Sequence, residues 1–225
     1  MATITALFRY PVKSLAGEAL ESVTLTELGV MGDRRYAFAD SAPERAGKAL
    51  TARQLHAMLT YRARLSDGGV IVSTPGGASL EATSDALLSE LEKAIGRPLA
   101  LREAVGSNFD TSPLLLLNLA SVRAFAETVG RELDARRFRA NVWLEGLPPF
   151  AERAWLGRRL QAGAATLEGV LMCERCMMIT LDPDTLERDP RILRELVATQ
   201  DHLMGLYCRV TGAGRVAVGD IVEPL

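Results

Sequence analysis

Cys173 and Cys176 bracket a Cys-Glu-Arg-Cys segment between two apolar-rich runs, Val170-Leu171-Met172 and Met177-Met178-Ile179. Two thiols three positions apart can form half of a zinc site, cycle as a redox disulfide, or offer a thiolate to a softer, redox-active metal. A closed zinc site takes four ligands, and the chain adds only Cys208, His56 and His202, with no second paired motif. A thioredoxin-like pair opens a helix, whereas Pro183 and two aspartates follow here within eight residues. Two buried cysteines acting as small hydrophobes fit the same spacing. The motif alone leaves the choice open.

A site at these thiols also needs charge. Arginines cluster at Arg34-Arg35 and at 136–139, although the net charge of the chain is only −2, which argues against a nucleic-acid or membrane-surface role. Arg139 leads into an apolar segment, where a guanidinium requires an anion or a carbonyl as partner. No apolar stretch approaches membrane-spanning length, and the N-terminus lacks a basic segment followed by an apolar signal core. With three cysteines, an odd number, free or metal-bound thiols in a reducing cytoplasm are expected rather than a secreted disulfide framework.

The 225 residues, 48% of them hydrophobic, suffice for one large or two small domains around a substantial core. Residues 3–10 alternate, with Ile4, Ala6, Phe8 and Tyr10 on one face of a strand that Pro11 ends, so that Lys13 and Ser14 project from the following loop. Val23 with Leu25, and Tyr36 with Phe38, mark two more strands. Residues 41–48 read as a loop, and Leu55, Met58 and Leu59 as a helical turn. Asp67-Gly68-Gly69 joins residues 61–65 and 70–72 in a hairpin. A helix follows, N-capped by Ser84, with Leu87, Leu88, Leu91, Ala94 and Ile95 on one face and Gly96 closing it before Pro98.

Residues 102–113, with Gly106, Asn108, Asp110 and Pro113, read as a connecting loop that divides the chain into a β-rich subdomain over 1–103 and a second domain over 104–225. Beyond it come a buried strand at 114–117, a helix from Leu119 to Gly130, a strand at 142–144, and a turn at Trp155-Leu156-Gly157 into residues 159–162. One strand is expected before the cysteines and one after them. Asp189-Pro190 starts a helix carrying Ile192, Leu193, Leu196 and Val197. Residues 207–210, 215–218 and 221–222 read as a closing meander. These elements define an α+β, β-dominated fold, a twisted or closed barrel with peripheral helices.

The run from Met172 to Thr185, Met-Cys-Glu-Arg-Cys-Met-Met-Ile-Thr-Leu-Asp-Pro-Asp-Thr, resembles the cysteine segment of MOSC-domain proteins, the family that includes the amidoxime-reducing components. The resemblance continues at Tyr10-Pro11-Val12-Lys13-Ser14, Gly32-Asp33-Arg34-Arg35-Tyr36, Thr51-Ala52-Arg53-Gln54, Arg137-Phe138-Arg139-Ala140-Asn141 and Val218-Gly219-Asp220, and so spans nearly the whole chain in order. It implies a MOSC-type β-barrel preceded by an N-terminal β subdomain, and binding of the molybdenum cofactor, Mo-molybdopterin.

Carried over residue by residue, the resemblance makes Cys176 the metal ligand and catalytic residue. Lys13, Ser14 and Arg34 become the phosphate contacts, suited to it as a point charge, a hydroxyl donor and a planar fork. Thr111, Ser112, Arg139, Asn141 and Tyr207 face the pterin, and Arg175 adds positive field. Glu174 departs from the family pattern, because relatives often carry serine there and a carboxylate repels an anionic cofactor unless it faces a cation or solvent. Asp182, Asp184 and His202 are the available proton donors.

The implied activity is two-electron oxygen-atom transfer that reduces small N-hydroxylated substrates, the hard chemistry belonging to the cofactor. Three cysteines cannot hold a four-cysteine cluster, so electrons are expected from a separate iron–sulfur or flavin/haem protein. A sulfur carrier using a cysteine persulfide, or a non-catalytic cofactor carrier, are the alternatives.

Overall fold

The computed structural model of the chain describes residues 1–103 and 108–225. Seven strands close into a barrel in the order Ala2–Arg9, Val142–Glu145, Leu114–Asn118, Leu203–Gly212, Ala165–Glu174, Arg159–Ala162, Ile221–Pro224 and back to Ala2–Arg9. Closure pairs every stave on both sides and leaves no open sheet edge. Only Leu114–Asn118 and Val142–Glu145 run parallel, as their connection through helix α1 (Leu119–Val129) requires. Inward-facing Ile4, Leu7, Leu116, Leu144, Leu160, Leu167 and Leu206 fill the barrel.

The first stave departs from simple alternation. A register shift between Ile4 and Ala6 reverses the parity of the strand. Ile4 and Leu7 are therefore the core residues, and the expected face of Ile4, Ala6, Phe8 and Tyr10 is split. Phe8 and Tyr10 turn instead to a cavity outside the barrel.

A second core, built on Phe38, Leu50, Met58, Leu87 and Leu91, lies within the first hundred residues. Its strand Tyr36–Asp40 pairs with Leu99–Glu103, which the sequence reading had partly assigned to a loop. The hairpin Arg62–Ser66 with Gly69–Ser73 forms as expected and gains a third strand, Ser79–Glu81. The helix Asp85–Ile95 starts where the Ser84 hydroxyl accepts the Leu87 N–H at 3.4 Å and ends at Gly96, whose φ of 74° is left-handed. The expected division at 103/104 abuts residues 104–107, which lie outside the described residues together with Gly106 of the expected loop; the barrel draws staves from both sides of that position.

The barrel's outer face is covered by α1 and by the helix Pro190–Gln200, which meet through Val122, Phe125, Ile192 and Leu196. Val197, expected on the buried face of the latter, is 50% exposed. The closing meander is broken up, because Gly214–Ala217 pairs with Ser22–Thr26 rather than with its sequence neighbours.

The ten-residue strand Ala165–Glu174 carries the cysteines to the barrel rim. Its register slips between Gly169 and Leu171 and again between Met172 and Glu174, so that consecutive residues Met172 and Cys173 are both buried. After Cys176 the chain makes a single 3₁₀ turn, Met177–Thr180, in place of the expected strand, and the Thr180 hydroxyl donates to Met177 O at 2.6 Å to close it. The slip at Gly169 brings the strand against the preceding turn, where a Cβ would lie 2.4 Å from the Trp155 carbonyl oxygen. Gly169→Ala should therefore cost about 1–3 kcal/mol, a fall of about 2–4 °C in Tm for each kcal/mol lost; an unchanged melting curve would show that the neighbouring turn yields freely.

Candidate functional site

At the barrel rim the cysteine turn faces a cleft of about 880 Å³, solvent at its mouth included, which is within the range of small-molecule sites. The segments that meet there come from both cores. Lys13, Ser14, Arg34 and Arg53 reach in from loops of the first hundred residues, and Ser112, Arg139, Arg175, Cys176 and Tyr207 from barrel ends. Six cations line the cleft, Lys13, Arg34, Arg53, Arg137, Arg139 and Arg175, against two carboxylates, Asp110 and Glu174. A chain with a net charge of −2 thus concentrates positive potential at one place.

Two of these cations have no carboxylate within ion-pair distance among the described residues. Arg139 donates to Leu15 O at 2.8 Å and lies 4.4 Å over the Tyr10 ring; burial lowers its pKa, and Tyr10 pulls it back. Arg175 donates to Met204 O and Phe138 O, each at 2.8 Å, while its Nη2 is buried without a partner. Gly205, at φ 87°, makes room for it, because a Cβ there would lie 3.2 Å from Nη2. Carbonyls accept from some of these N–H groups but leave the charges unneutralised, and Arg175 Nη2 has no acceptor at all, so the cleft is set up for an anion.

Arg34 is tied to Asp33, whose other oxygen accepts the Tyr10 N–H at 2.6 Å. Burial pushes the Asp33 carboxyl up, against the pull of Arg34, and pushes the Tyr10 phenol up to about 12, against Arg139 and Arg34. Ser14, Arg34 and Arg139 all hold left-handed backbone, at φ 70°, 49° and 51°. Such conformations cost about 1–3 kcal/mol each and persist only where the surroundings impose them. Here they are flanked by backbone bonds from Lys13 N to Tyr36 O, Arg34 N to Tyr10 O and Arg139 N to Arg136 O, at 2.8, 2.7 and 3.0 Å.

The two thiols are set apart. Cys173 is 2% exposed and packs among Leu115, Phe138, Ile179 and Met204. Beside it lies Tyr207, whose phenol is pushed well above its ordinary range by burial first and by Cys173 second. Cys176 is half-buried and lines the cleft. The guanidinium of Arg53 faces its sulfur, and this contact is the main influence raising the Arg53 pKa. Arg53 was not singled out as a site residue from sequence; its signal was the Thr51-Ala52-Arg53-Gln54 segment.

Not every expected contact converges. Thr111 is exposed and outside the cleft lining. Asn141 does line the cleft, but it is fully buried, its amide donating to Phe8 O at 3.2 Å and accepting from Leu115 N at 3.3 Å, so it also clasps two staves. The Ser112 hydroxyl donates to Cys208 O at 2.9 Å and keeps only its lone pairs for a ligand. Glu174 points outward, 74% exposed and 4.0 Å from His202 Nε2, which removes the expected repulsion. Asp182 and Asp184 pair with Arg137 and Arg136 at 2.7 and 2.5 Å. Burial raises the Asp182 carboxyl, but N–H groups of Thr185 and Asp184 outweigh it, and Arg136 holds Asp184 down, so neither is a proton donor near neutrality.

Fold and site together define a small closed-barrel protein with a cationic, thiol-ended cleft. Residues 82–223 match the MOSC domain and residues 1–96 the MOSC N-terminal beta barrel domain, and the chain belongs to the MOSC family. It is 28% identical to a molybdenum cofactor sulfurase of Caenorhabditis elegans over 93% of this chain and 33% of that protein. It is 37% identical to the human mitochondrial amidoxime-reducing component 1 over 34% of this chain and 22% of the relative. The chain thus spans a third or less of the length of these relatives. The YuaD protein of Bacillus subtilis shares the fold, with a TM-score of 0.56 at 15% identity over 98% of this chain and 93% of that one. No helix among the described residues is long and apolar enough to cross a membrane.

Asp110 sits at the mouth as an internal anion, accepting from Lys13 Nζ at 2.6 Å and from Arg53 at 3.3 Å. Burial raises its pKa, but Lys13, Arg53 and Arg34 outweigh this and hold the carboxyl below its ordinary range, so it is charged at neutral pH. It therefore competes with any anionic ligand for the same cations. Asp110→Asn should tighten the binding of inorganic phosphate to the ligand-free protein by about tenfold, as expected for freeing a charge-assisted contact. Calorimetric titration at low salt checks this, and weaker binding would mean that Asp110 orients Lys13 rather than masking it.

Proposed function

We propose that the cleft binds the molybdenum cofactor, with Cys176 as the protein ligand of the metal, and that the protein reduces N-hydroxylated compounds by two-electron oxygen-atom transfer. The observation that carries this reading is the half-buried Cys176 thiol in a cleft where Arg139 and Arg175 hold charges without carboxylate partners. The donor set suits the group: a soft thiolate for the metal, cations for its phosphate, and hydroxyl and phenol groups for the pterin.

Lys13, Ser14 and Arg34 are assigned to the phosphate, which would displace the Asp110 carboxylate from Lys13. Arg139, Ser112 and Tyr207 are assigned to the pterin. Arg175, fixed by two carbonyls, supplies field beside the thiolate. Bound there, the cofactor supplies a metal that exchanges two electrons and an oxygen atom with the substrate. Arg53, facing the sulfur and half-exposed, stands where a substrate reaches the metal ligand from solvent. The three cysteines of these 225 residues cannot ligate a four-cysteine cluster, and we assign the electrons to an iron–sulfur or flavin/haem donor outside them.

A second reading is favoured by the length of the match to the sulfurase, 93% of this chain. In it Cys176 carries a persulfide for cofactor assembly. Cyanide-labile sulfur without molybdenum in purified protein would support that reading.

Cys176→Ser should leave a folded protein that has lost viologen-driven reduction of an amidoxime, while Cys173→Ser keeps part of it; equal, full activity in both removes the assignment. Lys13→Ala and Arg34→Ala should each lower cofactor occupancy, read as molybdenum and released pterin per chain, by about tenfold or more at limiting cofactor. Full occupancy in both variants would remove the phosphate assignment.

A further inference from the structure

A second cavity, of about 960 Å³ with the solvent at its mouth included, lies against the cleft and shares Leu59, Arg137, Arg139 and Met178 with it. Apart from Arg139, which stands on the wall between the two, its lining has no part in the reading given above. Its walls include Phe8, Tyr10, Leu181 and Pro183, and small residues Ala16, Gly17 and Ala19 keep it open. The reversed parity of the first stave brings Phe8 and Tyr10 here, with ring centroids 6.5 Å apart and planes within 23°; Tyr10 is buried with Arg139 over its ring, so Phe8 is the more open of the two aromatic surfaces. Gly17 allows the close approach, because a Cβ there would lie 2.7 Å from Tyr10 Cδ1.

The charges at the mouth say what the cavity would take. Four guanidinium groups, of Arg62, Arg136, Arg137 and Arg139, line the cavity against two carboxylates, Glu18 and Asp184. Both acids are already engaged. Glu18 accepts from Arg9 and from Leu65 N at 2.8 and 2.7 Å, and Asp184 is held by Arg136 at 2.5 Å. Arg137 is spent on Asp182. Arg136 is held by Asp134 as well, so Arg139 alone has no carboxylate within ion-pair distance among the described residues, while Arg62, 59% exposed, is held only loosely, reaching Asp184 at 3.9 Å. A flat apolar body stacks on the Phe8 ring, and a negative head answers the arginines.

We propose that this second cavity binds a flat aromatic carboxylate, separately from whatever occupies the cleft. The test is calorimetric titration of the ligand-free full chain with 2-naphthoate and with its neutral analogue 2-naphthylmethanol. Naphthoate should bind one to one and the alcohol about tenfold more weakly, the difference of a charge-assisted contact. Ala19→Trp, at an exposed position that lines only this cavity, should abolish binding by filling it. Arg62→Gln, on the surface, should weaken naphthoate about tenfold and leave the alcohol unchanged. Arg53→Ala, which alters only the cleft, should change neither. Equal affinity for acid and alcohol, no binding at millimolar ligand, or loss in Arg53→Ala with retention in Ala19→Trp each overturns the proposal.

Discussion

Guanidinium charges held in a partly desolvated cleft without counter-ions are the constraint on which the site depends. Arg139 and Arg175 are held by the Leu15, Met204 and Phe138 carbonyls and by the faces of Tyr10 and Phe138, with Arg175 Nη2 left without an acceptor. That arrangement fixes direction but does not cancel charge, and in a low-dielectric cleft uncancelled charge is costly until an anion arrives. Asp110 supplies a partial substitute at the mouth by bridging Lys13 and Arg53. The free protein is thereby eased at the entrance and left charged deeper in, which favours a ligand that carries negative charge into the cleft.

Geometry is supplied by irregularities rather than by regular strands. The left-handed backbone at Ser14, Arg34 and Arg139 turns three separate loops inward. The slips along Ala165–Glu174 bury Cys173 and leave Cys176 facing the cleft, and Gly205 makes space for Arg175. Each of these costs local stability, and the barrel's closed hydrogen bonding is what offsets the cost.

Much of the frame was legible in the sequence because it follows from local rules. The alternation in Val23–Leu25, the cap at Ser84, the glycine stop at Gly96 and the apolar run at 114–117 each report a nearest-neighbour preference, and each formed as expected. The bulges were not legible, since a one-residue slip depends on the partner strand; in the first stave it moved the core from Ala6 to Leu7. The apolar run Met177–Thr180 reads equally as strand or turn, and it forms a 3₁₀ turn. Leu99–Glu103 was missed because its partner lies some sixty residues earlier. At the site, Lys13, Arg34, Arg139 and Cys176, taken from the family resemblance, line one cleft, whereas the contacts of Arg53 and Asp110 exist only once two distant loops meet. Thr111, in the same run as Ser112, points away.

The central claim is that Cys176 ligates the metal while the cationic cleft holds the rest of the cofactor. X-ray absorption at the molybdenum edge of cofactor-loaded protein, compared with the Cys176→Ser variant loaded to the same occupancy, tests it most directly. The account predicts one fewer sulfur neighbour in the variant, with the pterin still retained. An identical sulfur shell in the two proteins would contradict it.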